Sequence, residues 1–431
     1  MRVLWLTRAQ LPAVTSASSM INEGWQEGLR RALEQYEPEV ELGIVSQGPV
    51  VHEAFKSGNA TYFSLPASGP KTRLGRIAKA WQANVVSSEA VNRAVETGRR
   101  FRPDIVHLHG TEHFLGLAAL QLQPPCVATL QGIPTVLERF MLDAIPLSEI
   151  ARSIATRGFV RGNGPLHEYL GMRRSAQVER RIVGGLRYFM GQTDWDRNVI
   201  RLLNPSANYF ECSRALQAPY YSSRWHRPST PKATIVCTSS PRPYKGVDVL
   251  VEGVHLLVQA GYEHLQLRII GAFPHSQLWP MLSHLVRKRG LEDVVSWLGP
   301  LGANEIASEL SDATLFVLPS HIENESNSLI EAMLVGVPCV AGAVGGIPSV
   351  VRDGIDGVLY HDNDPFALAG AIARLLDDPD LARSLGDNAR TRALSRFDPE
   401  SCAHRTKAVY NQVVGLAQDS QPTRQRSVTA Q

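Results

Sequence analysis

The chain has 431 residues, more than a single hydrophobic core of ordinary size fills, so two domains are expected. Its hydrophobic content of 44% is that of a globular protein, and 44 Lys and Arg against 41 Asp and Glu leave a net charge of +3, which argues against nucleic acid as a partner. The five cysteines, Cys126, Cys212, Cys237, Cys339 and Cys402, are scattered and never spaced as CxxC, which points to neither a disulfide framework nor a zinc site and fits a reducing, cytoplasmic compartment.

The opening MRVLWLTR is too short for a secretory leader and reads as a first strand, Val3 to Thr7. No apolar run reaches about 18 residues, so no membrane-spanning helix is expected. The loop SSMINEGWQEGL follows, where Gly24 allows close backbone approach to a ligand and Asn22 and Glu23 stand beside it; a helix then runs near Trp25 to Gln35. A strand at Val40 to Ser46, a long helix near Arg76 to Arg99, and strands at Ile105 to His109 and Val127 to Gln131 complete an alternation that predicts a parallel, doubly wound sheet. From Arg152 to Arg181 lie Arg152, Arg157, Arg161, Arg173, Arg174, Arg180 and Arg181 with few acids. This is either a solvated face or one that meets anionic lipid headgroups.

Residues 218–232, APYYSSRWHRPSTPK, read as a linker between a first domain of residues 1–217 and a second of residues 233–400. The second repeats the pattern, with strands at Ala233 to Thr238, Leu265 to Ile270, Val294 to Trp297, Thr314 to Leu318 and Pro338 to Ala341. Helical sequence at 401–416 is read as returning to the first domain, and residues 417–431 as a disordered tail. Ligands of such sheets bind outside the carboxyl ends of the strands, so the expected site is the cleft between two facing domains.

The stretch LFVLPSHIENESNSLIEAMLVGVPCVAG carries the most chemistry. It reads as a strand, a polar loop and a helix from Ser328 to Val335, ended by Gly336 and Pro338. The amides of Asn327, Ser328 and Leu329 would then face an anion such as a diphosphate. Glu331, read within the first turn, would be repelled by that anion and is better used on ribose hydroxyls, while Glu323 in the loop would hold a transferred sugar. The alternative is a capping box formed by Ser328 and Glu331, which would make Glu331 structural.

Four further groups are candidates. In TIVCTSSPRPYKGVDVL, Lys245 and Arg242 would stabilise charge developing on a leaving diphosphate, with a helix starting near Val247. In HLHGTEHF, His109, Thr111, Glu112 and His113 cluster at a strand end where they would orient sugar hydroxyls or assist a proton transfer. Gln131 occupies the neighbouring strand end. TDWD, at Thr193 to Asp196, holds two aspartates without further oxygen ligands, so no metal is expected there and Trp195 is read as an interdomain or helix-end residue.

Glu323 and Glu331, with AMLVGVPCVAG and GGIPSVV after them, resemble the signature of glycosyltransferase family 4, the retaining, GT-B-fold group that includes glycogen synthase and phosphatidylinositol mannosyltransferase. PDIVHLHGTEHFLGL, VATLQGI, GQTDWDR, NPSANYF and PYKGVDVL are similar to one bacterial branch, so the likeness runs to about Gly415. The resemblance implies an α/β GT-B fold of two facing Rossmann-like domains and no metal bridge. It implies that Glu331 holds the ribose, that Glu323 contacts the donor sugar and that Lys245 serves the diphosphate. Relatives place arginine where this chain has Ser239 and Ser240, and histidine where it has Gln131, which cannot act as a general base.

The expected activity is transfer, with retention, from a UDP- or GDP-sugar to a saccharide or lipid-linked acceptor in bacterial surface polysaccharide or glycoconjugate synthesis. Base and ribose would lie toward Gly299 and Glu331, and the enzyme would be cytoplasmic, with peripheral contact to the inner face of the membrane as an open alternative. Two rivals share the architecture: a sugar-nucleotide epimerase, which needs no acceptor, and a non-catalytic nucleotide-sugar binder. A dinucleotide oxidoreductase loses its support because RAQLPAVTSASS, and no GxGxxG, follows the first strand.

Overall fold

In the computed structural model, which describes residues 1–8, 24–48, 54–66, 81, 87–143, 145, 147–154, 157–160, 162, 164–228, 232–274 and 276–419, the apolar runs form two sheets. The first contains Arg2–Thr7 (β1), Glu41–Gly48 (β2), Phe55–Ser57 (β3), Ala60–Pro66 (β4), Ile105–His109 (β5), Cys126–Thr129 (β6), Tyr188–Gly191 (β7) and Asn208–Glu211 (β8), in the order β3-β4-β2-β1-β5-β6-β7-β8. Every pairing is parallel except β3 with β4. The second contains Ala233–Thr238 (β9), Leu265–Ile270 (β10), Val295–Gly299 (β11), Leu315–Leu318 (β12), Cys339–Gly342 (β13) and Val358–Tyr360 (β14), all parallel, in the order β11-β10-β9-β12-β13-β14.

The order of each sheet reverses at one place, between β1 and β5 in the first and between β9 and β12 in the second. At such a switch point the connections leave on opposite faces and open a crevice at the strand carboxyl ends. Thr7 pairs with His109 at the first crevice, and Phe316 with Val236 just inside the second. Both crevices open on the same cleft.

The strands at 55–66, 188–191, 208–211 and 358–360 go beyond those read from the sequence. They are short or half-polar, as in the alternating burial of ATYFSLP, and so lack the continuous apolar run that marks a central parallel strand. The helix expected from Arg76 to Arg99 is described over Ser88–Phe101, capped by Ser87; most of its expected first part lies outside the described residues, as do Asn22, Glu23, Arg161 and residues 420–431.

The segment read as a linker is anchored rather than loose. Ala218–Ser222 is a short helix with Tyr220 buried, and Trp225 donates its amide to the Val335 carbonyl at 2.9 Å and its indole N–H to the Ala313 carbonyl at 2.7 Å. Its prolines and serines hid these aromatic anchors. The final helix, Pro399–Asp419, packs against Gly24–Tyr36 of the first domain. There Tyr410 accepts from the Trp5 indole at 3.2 Å and meets His107 Nδ1 at 2.7 Å, all three fully buried. Among the described residues no helix is long and apolar enough to cross a membrane.

Candidate functional site

A cleft of about 840 Å³ lies between the two sheets' carboxyl ends. On the second-domain side the chain leaves β9 through Ser239, Ser240 and Arg242 into a single turn, Pro243–Lys245, which ends at Gly246 with φ of +63°. A Cβ there would sit 2.0 Å from the Pro319 carbonyl oxygen, so only glycine lets this turn approach the loop after β12 so closely. That approach brings Lys245 Nζ to 2.5 Å from Glu323 Oε1, to which Ser320 also donates at 2.9 Å. Burial works against the charged lysine, yet Glu323 and Tyr244 beside it hold its pKa above the ordinary value.

The helix after this loop runs Asn327–Val335, with Ser326 as N-cap and no side-chain cap bond. Its ladder begins with the Ile330 amide on the Ser326 carbonyl at 3.1 Å, so the amides of Asn327, Ser328 and Leu329 precede it. Asn327 and Ser328 line the cleft, while the Leu329 side chain is fully buried and only its backbone can face that way. The expected start at Ser328 is one residue late, and the Ser328 and Glu331 capping box does not form because Ser326 takes the cap position.

Glu331 consequently sits in the second turn rather than the first. It does not line the cleft; its carboxyl is buried, bonded to the Tyr220 hydroxyl, and burial pushes its pKa up to about 7. Gly299 ends β11 with φ of +74° and open space around it, away from the cleft lining.

On the first-domain side, Glu112, His113 and Gln131 line the cleft. Burial pushes Glu112 up to about 7 and lowers His113 to about 4. Neutral histidine therefore faces the cleft at pH 7. His109 does not reach it. Its ring lies 3.9 Å from His107 and 4.3 Å from Trp5, and burial holds its pKa well below the usual range. The expectation that all four polar residues of the HLHGTEHF loop face the cleft fails at His109 and at Thr111, which donates inward to Glu179 at 2.5 Å. Gly24 lies against the other wall: a Cβ there would stand 3.5 Å from Asn327 Nδ2.

The two walls are tied together. Thr193 caps the helix Asp194–Leu203 in a reciprocal box with Asp196, and its hydroxyl donates to Asn324 Oδ1 at 2.9 Å. The Asp194 amide donates to Ser349 at 3.2 Å, and Trp195 lines the cleft. Asp196 is thus a capping group; among the described residues no cluster of three His, Cys, Asp or Glu could hold a metal. Arg242 Nη1 lies 3.4 Å from Glu168 of the opposite domain. In the arginine-rich stretch, Arg180 pairs with Glu138 at 2.6 Å on the surface and Arg174 donates to the Trp81 carbonyl at 2.8 Å, so two of the cations are engaged within the protein. The sequence reading passed over Arg214, a buried guanidinium that lines the cleft; a lone arginine after a short strand carries no spacing signal.

Residues 223–392 match the family profile described as glycosyl transferases group 1. This segment holds Lys245, Glu323 and Glu331. D-inositol 3-phosphate glycosyltransferase of Streptomyces coelicolor is similar, with 34% identity over 178 residues, 40% of this chain and 39% of that protein. The chain thus spans about two fifths of the length of the curated relatives it matches. Solved structures resemble the whole fold. Sucrose-phosphate synthase of Thermosynechococcus elongatus superposes with a TM-score of 0.72 at 20% identity, over 96% of this chain and 99% of its own. The Anabaena protein HepE, in complex with UDP-glucose, does so with 0.63 at 15% identity, over 97% and 100%. The group 1 segment and the domain facing it make up a GT-B fold.

Proposed function

We propose that this protein is a retaining glycosyltransferase that moves a sugar from a nucleotide diphosphate sugar, UDP- or GDP-linked, to a saccharide or lipid-linked acceptor. The observation that carries the reading is the meeting of Lys245, Glu323 and the open amides of Asn327, Ser328 and Leu329 on one wall of a cleft between two domains. A cation and a helix N-terminus at one point favour a diphosphate, and favour it more as the glycosidic bond breaks and negative charge gathers on the leaving group. Arg242, exposed at the rim, adds a second cation. Glu323 would turn to the donor sugar once a diphosphate takes its place on Lys245. Glu331 would hold the ribose from beneath, sharing its carboxyl with Tyr220, and base and ribose would extend toward Gly299.

The facing wall would receive the acceptor, with Glu112, His113 and Gln131 as its polar contacts. Retention would follow from same-face attack through an oxocarbenium-like state, a donor phosphate oxygen taking the acceptor proton. Closure of the cleft would exclude water and limit hydrolysis. The residue boundaries 1–217 and 233–400, a role in surface polysaccharide or glycoconjugate synthesis, a cytoplasmic setting and contact of the arginine-rich face with anionic membrane belong to the same proposal.

The test is a donor panel. Nucleotide release from UDP-, GDP- and ADP-sugars is followed with and without a mixed set of saccharide and lipid-linked acceptors, then repeated with Glu331→Ala and Lys245→Ala. Acceptor-dependent release lost in both variants supports transfer. Conversion of donor alone into an isomer favours an epimerase, and an intact donor throughout favours a binder.

A further inference from the structure

We propose that Arg214 is a cation for the donor diphosphate supplied by the first domain, opposite Lys245. The inference rests on the reading of the cleft as a nucleotide diphosphate sugar site. Arg214 follows β8 and is 3% exposed. Its Nε lies 2.9 Å from Gln192 Oε1 and 3.2 Å from Glu325 Oε2, and its Nη1 lies 3.1 Å from Asn327 Oδ1. The guanidinium stands over the Trp25 ring at 4.8 Å. Three of its contacts are thereby fixed, and the fork cannot swing away.

Nη2 has no hydrogen-bond partner among the described residues, although Arg214 lines the cleft. A buried ionic donor without an acceptor is costly, and a ligand oxygen is the explanation the surroundings favour. Two guanidiniums, Arg214 and Arg396, share the single carboxylate of Glu325, the second at 3.1 Å. Two further acids feel this guanidinium: Glu112, which burial raises to about 7, and Asp196, whose oxygens accept from the amides of Gln192 and Thr193 and from the Tyr209 hydroxyl at 2.6 Å.

A helix N-terminus lies at the same place: Asn327 opens the helix to Val335, and a Cβ on Gly24 would be 3.5 Å from Asn327 Nδ2. Its positive dipole end and the unpartnered Nη2 therefore converge on one anion. Because Nη1 of the same guanidinium already touches Asn327, an oxygen on Nη2 belongs to the group seated on that helix, the diphosphate, and not to a remote acceptor phosphate.

Inorganic pyrophosphate, titrated calorimetrically into the full chain, decides it. The parent binds, Lys245→Ala and Arg214→Met each weaken binding about tenfold or more, and Arg214→Lys, which keeps the charge but cannot hold Asn327 and the anion together, weakens it about threefold or more. If Lys245→Ala weakens binding while Arg214→Met and Arg214→Lys match the parent, Arg214 is an interdomain strut and this proposal is overturned alone. If the parent binds no pyrophosphate, or Lys245→Ala changes nothing, the reading of the cleft falls first and this one with it. Should Arg214→Met not fold, Arg214→Lys decides by itself, an affinity equal to the parent's overturning the proposal.

Discussion

The Tyr220 hydroxyl donates to the Glu331 carboxyl, fastening the segment that joins the two sheets to the helix whose start faces the cleft. Both side chains are buried, so the bond is shielded from water and the acid is held near neutrality by its surroundings.

This pair predicts a pH dependence of stability. Burial raises Glu331 from 4.5 to about 7, so between those values the folded protein binds the proton more tightly than the unfolded chain does. Stability then falls as pH rises through that window. Glu112, raised to about 7 by the same cause, acts in the same direction. Urea unfolding at pH 5 and pH 8 should therefore show a smaller loss for Glu331→Gln than for the parent, by roughly 1–3 kcal/mol, with the remaining slope reduced further in the double variant with Glu112→Gln.

Lys245→Ala removes the cation paired with Glu323 and leaves that acid with Ser320 as its neighbour. The expected result is a fall in kcat/KM for donor turnover of about 10²–10³-fold, in the range known for loss of one group that stabilises developing charge. A thermal scan beside the rate measurement separates this loss from the destabilisation expected when Glu323, 11% exposed, loses its counter-charge.

Gly246→Ala should be worse for the fold than for any contact it makes. The backbone is left-handed at φ of +63°, and the added methyl would lie 2.0 Å from the Pro319 carbonyl oxygen. Either the turn carrying Lys245 retreats or the loop carrying Glu323 does. A drop of about 1–3 kcal/mol in unfolding free energy with weaker donor binding is expected, and an unchanged denaturation midpoint would count against the approach described.

Tyr410→Phe takes the acceptor from the Trp5 indole and the partner from His107 Nδ1. Both are fully buried, so the cost should be about 1–3 kcal/mol by chemical denaturation, with no effect on pyrophosphate or donor affinity.

How much of this was legible follows from the kind of signal each residue carries. Central strands such as Ile105–His109 and Ala233–Thr238 are short runs built on aliphatic residues and could be placed from sequence to within a residue. Edge strands such as Asn208–Glu211 are half-exposed and carry no such run. In the cleft, Lys245 and Glu323 were found because they flank glycine and helix signals along the chain. The burial of His109, by contrast, is decided by Trp5 and Trp25, which are distant in sequence. Arg214 owes its place to Gln192, Glu325 and Asn327, brought together only by the fold. Glu331 is one residue further into the helix than the sequence suggests, because Ser326 and Ser328 are equally good caps in sequence and only the backbone chooses between them.

Because Pro399–Asp419 comes back to lie on Gly24–Tyr36, the residues that build the second sheet are inserted between two pieces of the first half of the molecule. Translation therefore delivers the piece that seals Trp5 and His107 only after the second sheet has been made. Until residue 410 has been made, the first half has an open seam, and its completion waits on everything in between.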